Sequence, residues 1–274
     1  MFKIPAKDRF WEIDIPQIMG ILNATPDSFY EASRVEFVDL AIIKAAEFVK
    51  NGASIIDIGG QSTRPGASFI SSEAEIQNVV PIIEAIHTHF PSILISVDTF
   101  QSKVAIAALK AGAHIVNDIS CGAFDSELLK VVANQNAGFI GMHLTGDINS
   151  MHQVPNREHI INDVIQYFEH KKKELSKIGI SNWVIDPGFG FGKTIQENFS
   201  LVKSLKQLTC LELPILLGVS RKSSIYKTLE IEANEALNGT TVVNTVGLLN
   251  GANILRVHDV KEAHQITKLL PYFS

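Results

Sequence analysis

Short runs of Ile, Val and Leu recur along the chain: QIMGILN (Gln17–Asn23), SIIDIGG (Ser54–Gly60), ILISVD (Ile93–Asp98), HIVNDI (His114–Ile119), GFIGMH (Gly138–His143), WVID (Trp183–Asp186), PILLGVS (Pro214–Ser220) and NILRVH (Asn253–His258). Several are apolar at successive positions, the pattern of strands covered on both faces. Helical spacing fills the gaps. Val35, Val38, Ile42, Ala45 and Val49 share one face. So do Ile76, Val79, Val80, Ile83 and Ile86, with Pro81 predicting a kink. Ile160, Ile161, Val164 and Phe168 form a third stripe, followed by the solvated run Lys171–Glu174. Thr194 and Glu197 have capping-box spacing and open a helix. Val242, Val246 and Leu249 mark a helix before the last strand, and Ile266, Leu269 and Leu270 close the chain. Eight strands, each followed by a helix, within ~250 residues predict an α/β fold, a single-domain (β/α)8 TIM barrel with its active site at the C-terminal rim of the strands. A doubly wound open sheet is the alternative, but eight regular units with no second domain favour closure. Residues 1–16 precede the barrel as a short strand or flap, and residues 17–274 build it.

Composition narrows the function classes. The 274 residues are 46% hydrophobic and 19% charged, which suits a soluble globular chain with a large core. A net charge of −5 argues against wrapping nucleic acid or docking on an anionic membrane. No apolar run approaches the ~20 residues of a membrane span. MFKIPAKDRFWEID at the N-terminus is charged throughout and lacks a signal-peptide core, which implies a cytoplasmic protein. Cys121 and Cys210 have no metal-ligand spacing and read as small buried apolar residues in a reducing compartment.

The segment DPGFGFGKT (Asp186–Thr194) carries three glycines in five residues, closed by Lys193 and Thr194. Pro187 stands where a Walker loop needs its first glycine, and Gly188, Gly190 and Gly192 miss the dinucleotide spacing. What remains is a tight strand-to-helix loop. The ends of the apolar runs decide its meaning. They carry Asn23, the GGQSTRPGA segment, Asp98, Asn117 with Asp118, His143, Asp186, Ser220-Arg221-Lys222, and Arg256 with His258. In a barrel these positions gather on one rim, and so many amides, carboxylates and bases converging there point to a site. Asp98, Asn117 and Asp186 offer acceptors and an amide suited to a flat, nitrogen-rich ring, and Lys222 offers a donor. Arg64, Arg221, Arg256 and His258 offer positive charge for a group such as a diphosphate. Asp118 reads equally as a ligand or a turn cap, and His143 equally as a ligand or a core histidine. His114 reads as structural; His87, His89, His152, His159, His170 and His264 read as surface residues.

IMGILNATPDSF, DIGGQSTRPGA, ISVDTF, VNDIS, DPGFGFGK, GVSRKS and RVHDV occur in this order between Ile18 and Val260. Together they resemble the dihydropteroate synthases. The resemblance implies a pterin-binding barrel that joins 4-aminobenzoate to a dihydropterin methyl diphosphate. It implies that Asp98, Asn117, Asp186 and Lys222, with Met142 and Gly218, hold the pterin ring. Asn23, Arg256 and His258 would be the catalytic set on the diphosphate, with Asn23 also on Mg²⁺. Thr63 and Arg64 would complete the anion and aminobenzoate side with Arg221, and Phe191, Lys222 and Ser223 would wall the aminobenzoate pocket. A homodimer through the last helices is also implied. The glycine loop then turns the backbone tightly beside the ring and holds no phosphate. The chain departs from the family in three places. NATPDSFYEASR stands where NVTPDSFSDGG is usual, so Ala32 and Ser33 replace glycines in a lid spanning Tyr30–Arg34. Gln61 stands where Glu is common, and TGDINSMHQVP replaces a GTPxxMQ pattern. Two other readings share the ring acids: a pterin-binding methyltransferase, and a non-catalytic pterin-binding paralogue. The first does not need STRPGA, SRKS or RVHD, and the second would have lost the anion residues, yet all are present here.

Overall fold

The computed structural model describes residues 1–24, 34–61, 69–146, 150, 151, 153, 154 and 159–273, apart from the side chains of residues 34 and 35. The chain opens with an antiparallel hairpin, β1 (Phe2–Ala6) and β2 (Arg9–Ile13), and continues with β3 (Gln17–Asn23), α1 (Arg34–Lys50), β4 (Ile55–Gly59), α2 (Ser72–His89), β5 (Leu94–Asp98) and α3 (Ser102–Ala111). Then come β6 (Ile115–Asp118), α4 (Leu128–Asn134), β7 (Gly138–Met142), α5 (Ile160–Ser176), β8 (Val184–Asp186), α6 (Ile195–Lys203), β9 (Leu216–Leu217), α7 (Ser223–Leu229), α8 (Leu237–Leu249), β10 (Ile254–Val257) and α9 (Val260–Leu269). The eight strands β3–β10 form one parallel sheet in the order β8-β7-β6-β5-β4-β3-β10-β9. An Ile185–Ile215 bridge joins its two ends, and the Ile185 N–H donates to Pro214 O at 3.0 Å. The barrel therefore closes, as the regular alternation predicts.

Successive apolar residues serve different cores. Ile56, Ile58, Ile95, Val97, Val116, Phe139, Ile185, Leu217 and Leu255 face the helices in one large cluster. Their neighbours Met19, Ile55, Ile115, Ile140, Val184, Leu216 and Ile254 face inward near the strand starts, in a second cluster with Ile4, Ala6, Trp11 and Ile13 of the hairpin. The hairpin thus covers the N-terminal mouth of the barrel. Its turn residue Lys7 exchanges backbone and amide bonds with Asn136 and donates from Nζ to Leu109 O at 2.6 Å, while Trp11 Nε1 donates to Gln17 Oε1 at 2.7 Å.

Three helical details differ from the sequence reading. On α1 the buried positions are Ala41, Ala45 and Phe48, and Val49 is exposed. The Phe48 ring lies against Gly20, where a Cβ would approach within 2.6 Å, so a bare strand position draws the aromatic face inward. On α8, Val243 and Leu248 are buried, whereas Val242, Val246 and Leu249 face solvent; Leu269 of α9 does too. Cys121 is buried as expected, but Cys210 is exposed. Helix α2 runs through Pro81, and the Thr194–Glu197 capping box opens α6.

Candidate active site

Moving two residues along each strand from the inner apolar ring keeps the side chain on the inner face, because strand side chains alternate. Ile55 leads to Asp57, Ile115 to Asn117, Val184 to Asp186, Leu216 to Gly218 and Ile254 to Arg256. Asp98 lies two residues past Ser96 on β5, paired with Asn117 in the register. The strands therefore change from apolar to charged partway up the barrel.

Arg256 organises this set. Its Nε reaches Asp57 Oδ2 at 2.6 Å and its Nη2 pairs with Asp98 Oδ2. Asn117 Nδ2 donates to the same Asp57 oxygen at 3.1 Å. Asp57 is fully buried and its Oδ1 has no hydrogen-bond partner among the described residues, an acceptor left for a ligand or water. Burial, with Asp57 close by, pushes Asp98 up to about 7 in spite of Arg256. Burial works against the Arg256 charge, but Asp57 and Asp98 outweigh it and hold the guanidinium protonated. Asp186 is buried and raised by desolvation against the pull of Lys222; its Oδ1 accepts the Gly188 N–H at 2.7 Å. Gly218 leaves the space between Asp186 and Arg256 open, since a Cβ there would sit 3.9 Å from each.

The glycine loop has its own logic. Gly188 (φ +71) passes so close to His143 O that a Cβ would lie 2.2 Å away, and Gly190 (φ +86) packs on Lys222 Cδ. Lys193 turns back into the loop and donates to Gly188 O at 2.8 Å and Phe191 O at 3.1 Å, so the loop's lysine supports its own turn. Lys222, just before α7, bonds Phe189 O and lies 4.7 Å over the Phe191 ring. Burial lowers its pKa to about 8, although Asp186 acts in the other direction. Phe191 joins an apolar wall of Ile119, Met142, Leu144 and Met151, extended by Phe100 and Phe124.

The other expected residues divide. His258 follows β10, with its Nδ1 3.0 Å from Ser220 Oγ. Ser223 opens α7 and is half-buried; Asn23 is exposed at the end of β3. Arg221 differs from the sequence expectation of a substrate contact: it forms a two-point ion pair with Asp259 at 2.8 and 2.9 Å and donates to Asn234 O at 2.7 Å. Its charge is committed to holding the loop after β9 against the loop after β10. Thr63, Arg64 and most of the first lid lie outside the described residues, as does part of the loop after β7. Gln61 is described; its Oε1 accepts the Ile70 N–H at 2.8 Å and closes the base of the loop between them. Asp118 is a turn cap, accepting from Ser120 N–H, Ser120 Oγ and Gly122 N–H. His143 is a core residue packed on Tyr167 and Phe168. Sequence reasoning missed Asp57, Phe100 and Phe124. Asp57 had a signal: a lone charge inside an Ile-rich run, at the parity of the inward-facing residues.

No group of three or more His, Cys, Asp or Glu among the described residues could hold a metal. The amide oxygen of Asn23, at an exposed strand end, suits a cation that keeps most of its waters and takes its other ligands from a phosphate, as Mg²⁺ does. The described part of the rim offers a carboxylate-and-amide socket, an adjoining apolar wall under a lysine, and basic groups in Arg256 and His258.

Comparison with known proteins points one way. The family model for pterin binding enzymes matches residues 19–258. A dihydropteroate synthase of Escherichia coli is 37% identical across 98% of this chain and 95% of its own length. One from Synechocystis is 40% identical across 92% and 88%. Among solved structures, the Yersinia pestis dihydropteroate synthase with a sulfonamide drug complex superposes with a TM-score of 0.92 at 35% identity, covering 99% of both chains. The Xanthomonas albilineans enzyme with 4-aminobenzoic acid gives 0.91 at 31% identity, covering 99% of this chain and 97% of that one.

Proposed function

The chain belongs to the pterin-binding enzymes, and within them to the dihydropteroate synthases, and from that premise we propose how its rim residues divide the reaction between them. The protein is a transferase: it joins 6-hydroxymethyl-7,8-dihydropterin diphosphate to 4-aminobenzoate, giving 7,8-dihydropteroate and diphosphate in folate synthesis. The observation that carries the residue assignment is the set of buried Asp57, Asn117 and Asp186 and partly buried Asp98 around Arg256, with an acceptor on Asp57 left unsatisfied among the described residues.

In this reading Asp186, Asn117 and Asp98 take the polar edges of the pterin, with Asp57 behind them and Met142 and Gly218 shaping the slot. Arg256 holds Asp57 and Asp98 in place through its ion pairs. Its Nη1 makes no hydrogen bond to a described residue and can meet the diphosphate together with His258, Thr63 and Arg64. Asn23, together with the diphosphate, would hold Mg²⁺, which would supply positive charge to the leaving group. The carbon–oxygen bond at the pterin methylene breaks, and the ring spreads the positive charge while the basic residues stabilise the departing diphosphate. The neutral aromatic amine, seated on Phe191 beside Lys222 and Ser223, forms the new carbon–nitrogen bond and loses a proton. No dedicated base is needed, since that amine is nucleophilic near pH 7.

The test is release of diphosphate on mixing the protein with Mg²⁺, the pterin diphosphate and 4-aminobenzoate. Release that requires all three and yields one dihydropteroate per diphosphate is expected; none under any condition would overturn the reading. A homodimer through α8 and α9 belongs to the same proposal. It is supported by Val242, Val246, Leu249 and Leu269 facing solvent beside a groove containing Ile266, Leu270 and Phe273. No helix among the described residues is long and apolar enough to cross a membrane, and the two free cysteines suit the cytoplasm we assign.

A further inference from the structure

Helix α6 packs with Leu201 and Val202 on its buried face, where a third apolar side chain would serve packing equally well. Asn198 takes that place and is 1% exposed. A buried amide is costly unless its bonds are met, and this one meets them. Its Oδ1 accepts the Gly190 N–H at 2.7 Å. Its Nδ2 donates to Thr194 O at 2.9 Å, Lys193 O at 3.3 Å and Ser224 Oγ at 2.9 Å. The Thr194 and Lys193 bonds are local to the helix start. The other two join separate segments: the middle of the glycine loop and the first turn of α7.

Those two segments carry the aminobenzoate wall. Gly190 precedes Phe191 and lies against the Lys222 stem, and Ser224 follows Lys222 and Ser223. Asp186 holds the Gly188 N–H, and Lys193 holds Gly188 O and Phe191 O, bonds that stay within the glycine loop. We propose that Asn198 is a positioning residue for the second substrate: its carboxamide spans Gly190 and Ser224 and so fixes the distance between Phe191 and the Lys222–Ser223 corner. The proposal rests on the reading that this corner binds 4-aminobenzoate.

The test compares KM for 4-aminobenzoate with affinity for a pterin lacking the diphosphate, in Asn198→Ala, Asn198→Asp, Ser224→Ala and Ser224→Thr, with Phe191→Ala as reference. Asn198→Asp keeps the shape and loses both donors. Loss of a buried bond of this kind corresponds to roughly tenfold. We expect both Asn198 variants to raise KM for 4-aminobenzoate about tenfold while bare-pterin affinity stays within about threefold of the parent. Ser224→Ala should raise it about threefold, and Ser224→Thr, which keeps the hydroxyl, should not. If Phe191→Ala raises KM and a folded Asn198→Asp does not, the proposal fails and the pocket assignment stands. An unchanged KM in Phe191→Ala removes the pocket assignment and the proposal with it. An equal fall in affinity for both ligands makes Asn198 a structural residue only. Should neither Asn198 variant fold, the Ser224 pair decides.

Discussion

The two ends of the barrel are made from the same strands and have opposite chemistry. At the N-terminal end, inward residues such as Ile55, Ile115, Val184 and Ile254 meet the hairpin's Ile4, Trp11 and Ile13 in a dry layer. Two residues further along, Asp57, Asn117, Asp186 and Arg256 occupy the same inner face. The lower layer gains from removing apolar area from water, and its cost of formation is met within the layer. The upper layer holds carboxylates and cations wholly or partly out of water, where desolvation opposes charge and an acceptor on Asp57 stays unmatched among the described residues. It persists because the rest of the barrel holds the backbone in place. The difference teaches that stability and ligand recognition should be separable by position along a single strand.

The largest test is at the lower end. Trp11 is 1% exposed and spans the hairpin–barrel contact. Trp11→Ala should lower unfolding stability by about 3–5 kcal/mol, the range for deleting a buried large aromatic. Bare-pterin affinity, measured well below the new melting temperature, should be unchanged. A loss of ring affinity in the folded variant would break the separation.

Next in size is Arg256→Ala. Turnover should fall about 100-fold or more, the scale for a lost charge-stabilising group. The geometry adds a second effect. The sequence alone places Arg256 on the diphosphate, so bare-pterin binding would survive its loss. The ion pairs with Asp57 and Asp98 predict instead that ring binding weakens too, because two ring-side acids lose their partner. Retained affinity for the bare pterin, by calorimetry, would return Arg256 to the leaving group alone.

This residue marks where sequence reading stops. The eight strands were legible because a strand covered on both faces leaves an unbroken apolar run, and the polar residue ending each run was legible as a rim position. Parity and partners were not. Arg221 and Arg256 look alike as cations at the end of an apolar run; only the fold puts Asp259 beside one and Asp57 beside the other. Val242, Val246 and Leu249 formed a sound helical stripe, but periodicity cannot say which of two apolar faces meets the barrel. Asp57 was hidden by its apolar neighbours, although counting two residues from Ile55 reaches it.

Asp186→Asn comes third and probes the upper layer without removing a cation. A carboxylate gives the pterin amine and ring N–H two acceptors, whereas an amide offers one acceptor and one clashing donor. Bare-pterin binding should weaken by about 2 kcal/mol, with little loss of melting temperature, since the Gly188 N–H can still be accepted. Unchanged affinity would remove Asp186 from the ring site.

The smallest effect belongs to the lower end and concerns pH. His114 is buried just before β6, and its Nδ1 accepts the Ile95 N–H at 3.1 Å, which requires an unprotonated nitrogen there. Burial lowers its pKa to about 4; Arg9, His87 and Lys7 act in the same direction, and Asp8 opposes them. An unfolded histidine titrates near ~6.5. Between those values the unfolded chain binds a proton that the folded chain resists, so His114 makes stability fall as pH drops from about 6.5 towards about 4. One proton sets a ceiling of ~1.4 kcal/mol per pH unit on that slope. His114→Asn keeps an acceptor for the Ile95 N–H and cannot titrate, so urea unfolding of the variant should depend less on pH across the upper part of this window. The ring site should not register the change, because Asp98 and Lys222 lie in the other layer. If the variant keeps the full slope, His114 is not its source and the lower layer is inert to protons; the raised Asp98 and Asp186 cannot supply that slope, because they bind protons more readily in the folded chain and act with the opposite sign.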